Sequence, residues 1–155
     1  MSTVRNLIKN KVFRVSLILI IITYPFYKDY ELVYSVGDSM LPTYENGEIL
    51  VVKRLSSFDN HWSPSRGQVI IAKDEENDSI TKRVVGVAGD EVSIKKGKII
   101  LNEEIYRDSI SSKYIYGDQR EVTVPEGYVW VIGDNRNFSW NGLIKISNIK
   151  GVVLY

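Results

Sequence analysis

A mainly β body behind a short apolar helix is what the sequence predicts, and three observations predict it. Beyond Glu31 the chain falls into short runs rich in Val, Ile and Tyr; Gly, Asp, Asn and Pro punctuate those runs; and the long apolar stretch lies before them, near the N-terminus.

The apolar stretch comes first. Arg5, Lys9, Lys11 and Arg14 precede Val15 to Ile22, and the first acidic residue is Asp29. That asymmetry places the N-terminus in the cytoplasm. Counted from Val12 to Tyr27, with Arg14 snorkelling to the headgroups and Tyr24 and Tyr27 at the far interface, the span falls just short of the ~17 to 25 residues a crossing normally takes. A cleaved signal peptide and a buried core helix compete with this reading. A cleavable signal wants small residues after the apolar run, whereas Thr23-Tyr24-Pro25-Phe26-Tyr27 is bulky. The expected organisation is therefore a cytoplasmic N-terminus and a single uncleaved anchor over residues 1–30. Residues 31–155 would form a body on the outer side of a bacterial cell membrane.

Strands are expected at Leu32 to Val36, Glu48 to Lys53, Gln68 to Ala72, Ile80 to Val87, Glu91 to Ile94, Lys98 to Leu101, Glu121 to Val124, Tyr128 to Ile132 and Val152 to Tyr155. Ile94-Lys95-Lys96-Gly97-Lys98-Ile99 reads as a hairpin, with Gly97 supplying the positive φ of its turn. Asp74 to Asp78 is a charged loop, and Ser56 to Ser65 a polar one containing Phe58, His61 and Trp62. A chain of 155 residues holds one modest domain after the anchor is subtracted. A net charge of +1, spread along the chain, offers no basic face for nucleic acid. With no cysteine, disulfides and thiol chemistry are excluded, but the compartment stays open.

The single histidine, His61, narrows the chemistry further. A Ser-His-Asp triad would have to use it, and a zinc site would need it plus carboxylates; a surface loop position is the simpler account. A serine hydrolase here would take a lysine as its base. Alternation along Ile80-Thr81-Lys82-Arg83-Val84-Val85 puts Lys82 on the apolar face beside Ile80 and Val84. Burial there would lower its pKa from ~10.4 toward the useful range, though a lone strand lysine more often snorkels to solvent. The nucleophile candidate is Ser39 in Val36-Gly37-Asp38-Ser39-Met40-Leu41-Pro42-Thr43. A turn there can present the hydroxyl and its own N–H at one spot, half of an oxyanion hole, but an ordinary Gly-Asp-Ser turn fits equally well.

These residues also match a family. Gly37-Asp38-Ser39-Met40-Leu41-Pro42-Thr43 resembles the serine box of type I signal peptidases, and Ser65-Arg66-Gly67-Gln68-Val69-Ile70 their next box. Thr81-Lys82-Arg83-Val84-Val85-Gly86-Val87-Ala88-Gly89-Asp90 resembles the lysine box. Val124-Pro125-Glu126-Gly127-Tyr128 leads into Gly133-Asp134-Asn135-Arg136, with Ser139 beyond, like the last box. The resemblance implies an antiparallel β fold and a membrane-anchored Ser-Lys endopeptidase of the compact Gram-positive type. It implies signal-peptide cleavage from exported preproteins, after small residues with small side chains also two positions upstream. Membrane lipid and the secretion translocon would be its other partners, and no cofactor or metal is called for. By the same resemblance Ser39 is the nucleophile, Lys82 the base, Ser139 the hydroxyl that orients the lysine, and Arg83 with Asp134 a supporting ion pair. Apart from the resemblance, Val36, Gly37, Met40 and Ile80 are candidates to bind substrate, with Val36, Met40 and Ile80 as pocket walls that could equally be plain core.

Departures accompany the match. Asn141-Gly142-Leu143 stands where the family has Asp-Ser-Arg, Gln68 replaces an aspartate, and Gly37 brings no hydroxyl to the oxyanion hole. Three other readings stay open: a non-enzymatic assembly factor with the same fold, a specialised pilus or conjugation peptidase, and a self-cleaving Ser-Lys repressor. The last lacks a DNA-binding helical domain.

Overall fold

The structure, a computed structural model, describes residues 11–55, 62–110, 115 and 117–154. His61 and Phe58 lie outside the described residues. The chain opens with helix α1 (Lys11–Asp29) and continues in eleven strands. These are β1 (Tyr30–Tyr34), β2 (Ile49–Arg54), β3 (Val69–Lys73), β4 (Ser79–Gly86), β5 (Glu91–Lys95), β6 (Lys98–Leu101), β7 (Glu104–Ile105), β8 (Gln119–Thr123), β9 (Tyr128–Ile132), β10 (Asn141–Lys145) and β11 (Ile149–Leu154).

Helix α1 forms where the anchor is expected, and its serine and threonine hydroxyls are satisfied within it: Ser16 donates to the Val12 carbonyl at 2.9 Å and Thr23 to that of Leu19 at 2.8 Å. Val15, Leu17, Ile18, Leu19, Ile20 and Ile21 are all exposed. Among the described residues no helix is long and apolar enough to cross a membrane. The physical reason is charge at both ends. Between Arg14 and Lys28 lie 13 uncharged residues, about 20 Å of helix against a hydrocarbon layer of about 30 Å.

The strands form two antiparallel sheets, one of seven in the order β1-β2-β11-β3-β4-β9-β10 and one of four in the order β7-β6-β5-β8. Strands β3 and β9 lie inside the large sheet and are buried on both faces, which is why they read as unbroken apolar runs. From β9, Val129 and Val131 enter a core with Ile70, Ala72, Val84 and Ile144, while Trp130 and Ile132 enter a second with Val85 of β4 and with Val92, Ile94 and Ile99 from the small sheet. Met40, Tyr44, Leu50, Val52, Val69, Ile71 and Val153 make a third.

The expected hairpin is a two-residue turn, with Lys95 opposite Lys98 and positive φ at both Lys96 (51°) and Gly97 (72°). Two strands were not expected, β7 and β10. Strand β11 begins at Ile149, earlier than the apolar run suggested, because a 3-10 turn at Ile146–Asn148 feeds directly into it.

Candidate functional site

Three segments distant in sequence meet at the C-terminal end of β9. The first is the loop after β1. Gly37 takes φ +85°, a left-handed value that a side chain would oppose, and its N–H donates to Asn46 Oδ1 at 3.0 Å. The next turn folds on itself through Leu41 N–H to the Asp38 carbonyl and Thr43 N–H to the Met40 carbonyl. Met40 is 1% exposed, so its side chain plugs the third core and holds the turn down. Ser39 is left half-buried at the turn's crest.

The second segment, Gly133-Asp134-Asn135, receives that loop. Asn135 donates its backbone N–H to the Ser39 carbonyl and its side-chain amide to the Asp38 carbonyl, both at 2.9 Å. Thr43 Oγ1 donates to Asp134 Oδ2 at 2.5 Å. The fully buried Asp134 also accepts from Arg83 Nε at 2.8 Å and Nη2 at 2.6 Å, and Arg83 Nη1 donates to the Gly67 carbonyl at 2.7 Å. Serine loop, last-box turn and lysine strand are thereby fastened together.

The third segment is β4. Lys82 pairs with Ile70 of β3, and Ile80 and Val84 flank it on the same face, packed into the core that contains Ile70. Lys82 is only 6% exposed. Among the described residues its ammonium has no hydrogen-bond or ion-pair partner. Burial pushes its ammonium below the ordinary lysine range, while attraction to the Asp134 carboxylate opposes the shift.

Strand register brings these parts close. Arg83 pairs with Ile132, so Lys82 comes level with Gly133 as β9 ends. A Cβ at Gly133 would overlap Ser139 Oγ and the Ser39 carbonyl oxygen, and would stand 2.6 Å from Ser139 Cβ. Glycine is required there because three chain segments converge on it. The Ser139 hydroxyl itself donates to the Trp140 carbonyl at 3.0 Å.

A cavity of about 370 Å³ opens beside Lys82, walled by Ile80, Trp140, Leu143 and Ile144. Of the expected substrate-binding residues, Ile80 lines it, Val36 is 86% exposed on the chain leading into the serine turn, Gly37 is exposed, and Met40 belongs to the core. Sequence reasoning missed the wall residues Trp140, Leu143 and Ile144, since Asn141-Gly142-Leu143 was read as a departure from a motif and not as a strand. It placed Arg136 in the last box without a role; the residue is 3% exposed and donates to the Gly133 carbonyl at 3.2 Å and to Asp108 at 2.6 Å. Asp108 falls in none of the boxes, so nothing in the sequence pointed to this pair. Gln68 has a local use, accepting the Ser65 N–H at 2.9 Å.

Among the described residues, one acidic group, Asp74, Glu76 and Asp78, has metal-ligand spacing. Its central carboxylate is engaged, since Asp74 Oδ1 accepts the N–H groups of Glu76 and Asp78.

Comparison with known proteins gives this geometry its context. Residues 4–154 match the family described as signal peptidase, peptidase S26. A signal peptidase I of Bacillus caldolyticus is 33% identical, the match covering 76% of this chain and 73% of that protein. A signal peptidase I of Leptolyngbya laminosa is also 33% identical, over 76% of this chain and 64% of its own length. The mitochondrial inner membrane protease subunit 1 of Xenopus tropicalis is 33% identical over 68% of this chain and 53% of its own. The crystal structure of a signal peptidase I from Enterococcus faecalis V583 superposes with a TM-score of 0.52 at 24% identity, covering 61% of this chain and 98% of that one, so the fold is shared. The chain belongs to the signal peptidase, peptidase S26, family and is a serine endopeptidase of that family.

Proposed function

We infer that this protein cleaves signal peptides from exported preproteins, with Ser39 as nucleophile and Lys82 as general base. The observation that carries the reading is the clamp of the Ser39 turn onto Gly133-Asp134-Asn135, beside a buried lysine without a partner among the described residues.

Neutral Lys82 takes the Ser39 hydroxyl proton as Oγ bonds to the scissile carbonyl carbon. The oxyanion that forms is held by the Ser39 N–H, which has no acceptor among the described residues. Protonated Lys82 then gives its proton to the leaving amine as the C–N bond breaks. In the second half Lys82 deprotonates water as it attacks the acyl carbon, and returns that proton to Ser39 Oγ as the acyl C–O bond breaks, restoring the hydroxyl and the neutral amine. Ser139 orients the lysine, and the Arg83–Asp134 pair keeps the strand carrying Lys82 and the serine turn in register. The substrate lies extended past Val36 and Gly37 toward Ile80, where main-chain hydrogen bonds set its register and small side chains fit next to the cut.

Helix α1 anchors the body in lipid with the N-terminus in the cytoplasm. Its exposed apolar surface and its basic start support this, and Arg14 and Lys28 would snorkel to the two headgroup layers. About 13 residues separate Phe26 from Ser39, so the nucleophile lies within about 45 Å of the membrane exit. That reach suits substrates that are membrane-inserted themselves.

The test is cleavage of a purified preprotein in detergent, with the new N-terminus located by mass spectrometry. Cutting by the wild type after a small residue beyond the apolar segment is expected, and none by Ser39→Ala or Lys82→Ala. A folded wild-type protein that cuts no preprotein would favour the assembly-factor reading.

A further inference from the structure

The cavity beside Lys82 has an acidic rim that the reaction just described does not use. Its apolar walls come from Ile80, Leu143, Ile144 and the indole of Trp140; its mouth is formed by Asp74, Glu75 and Glu76 in the turn between β3 and β4. The nearby cation, Lys73, is turned back onto the Asn77 carbonyl at 2.8 Å. Glu75 and Glu76 have no ion pair among the described residues. Leu143 stands where the resembled pattern has an arginine, so an apolar wall replaces a resident cation.

We propose that this cavity is a subsite for a lysine or arginine side chain of the polypeptide substrate, carried within a few residues of the cleaved bond. The proposal rests on the peptidase reading of Ser39 and Lys82. Three features match a long basic side chain. Ile80, Leu143 and Ile144 receive its aliphatic stem, the carboxylates at the mouth attract its charged head, and the face of Trp140 adds a cation–π contact. Trp140 is held in place by Gly142, where a Cβ would stand 2.6 Å from the indole Cζ2, so the ring lies directly on the β10 backbone. The link to the reaction comes from Lys82. It is 94% buried by its 6% exposure, lacks a partner among the described residues and lines the same cavity, so an occupant lies beside the bond being cut. At about 370 Å³ the space falls at the small end of ligand sites, which run from about 300 to 1,000 Å³, and has room for a long side chain.

The experiment uses the full chain in detergent and peptides spanning a cleavage site, with Lys, Gln or Glu placed in turn at each position within three of the scissile bond. Cleavage is read with the wild type and binding with Ser39→Ala. At one position Lys should exceed Glu by about tenfold in kcat/KM and in affinity, a ratio that shrinks in high salt. In the doubly charge-reversed Glu75→Lys, Glu76→Lys protein the ratio should fall below one. A ratio unchanged by charge reversal, or near one at every position, overturns the subsite. Binding that shows the ratio and its reversal, without any cleavage, upholds the subsite and removes the peptidase reading. Cleavage without charge preference does the opposite.

Discussion

The backbone N–H of Asn135 donates to the carbonyl of Ser39 at 2.9 Å, tying the turn that presents one candidate catalytic group to the end of the strand beside the other. Gly133 makes the approach possible, since a Cβ there would overlap the Ser39 carbonyl oxygen and Ser139 Oγ. Backbone cannot yield as a flexible side chain can. Gly133→Ala should therefore cost about 1 to 3 kcal/mol of stability and about a hundredfold in kcat, the loss expected when reacting groups are displaced by about 1 Å. KM should change little. Thermal melts and steady-state kinetics on one preprotein check both, and a variant with wild-type kcat would disprove the convergence at this glycine.

Lys82 couples activity to stability through pH. Burial sets its folded pKa below the ordinary 10.5, so between the two values the unfolded chain binds more protons, and stability rises with pH across that window. Below the folded pKa the penalty is complete. Lys82→Met should be inactive yet melt a few degrees higher at pH 7, and the gain should vanish as pH approaches 10.5. Wild-type activity should fall as the solution is acidified through the lowered pKa. Lys82→Arg should be inactive as well, because guanidinium stays charged. Ser39→Ala and Lys82→Ala combined should be no worse than either alone. A melting difference that ignores pH would rule out a desolvated lysine.

Two ion pairs differ in burial, and magnitude decides between them. Asp134 is 0% exposed and accepts three side-chain hydrogen bonds, from Arg83 Nε and Nη2 and from Thr43 Oγ1. Asp134→Ala leaves the guanidinium uncompensated and should cost about 3 to 5 kcal/mol. Arg54 meets Glu31 at 2.9 Å with 45% of its side chain exposed, so Arg54→Ala should cost less than about 1 kcal/mol. Urea denaturation of both variants gives the comparison. Equal losses would mean that the Asp134 network does not hold the site together.

How much of this was legible in the sequence depended on periodicity. The position of Lys82 on an apolar face followed from period-two alternation, and the Lys96-Gly97 turn from its glycine. Strand β10 was hidden because Asn141 and Gly142 are poor strand formers. The Trp140 ring lying on Gly142 leaves no room for a Cβ there. Arg136 stood in the last box, but its role was not legible because its partner Asp108 lies 28 positions away in an unpatterned stretch. Met40 fitted a pocket wall and plain core equally well in the sequence, and tertiary packing places it in the core.

Asp90 offers a second pH signature, in which stability again rises with pH but the charged form stabilises, where charged Lys82 destabilises. Burial pushes its carboxyl up, but hydrogen bonds from Arg66, Asn102 and the Val87 N–H, with the Arg66 charge, outweigh it and hold the pKa below 3.8. A folded pKa below the unfolded one contributes stability that is complete above the unfolded value and is lost as pH falls through the folded one. Asp90→Asn should cost about 2 kcal/mol at pH 7, the scale of a charge-assisted hydrogen bond to a half-exposed arginine. The difference should shrink below pH 3.8. Chemical denaturation at pH 7 and pH 3 tests this, and a constant difference would contradict it.

The last prediction separates anchor from catalyst. Strand β1 starts at Tyr30, paired with Lys53, so a chain beginning there keeps every strand of both sheets. The exposed apolar residues of α1 are the part removed. The truncated protein should stay folded, with a melting temperature within a few degrees of the full chain, and should cut a short soluble peptide at the full-length rate. In a flotation assay the full chain should rise with phospholipid vesicles and the truncated one should remain below. Confinement to one surface raises the effective concentration of enzyme and inserted substrate. Cleavage of a preprotein reconstituted in vesicles should accordingly drop by about tenfold or more on truncation. If the truncated body floats as well as the full chain, α1 is not what holds the protein to lipid.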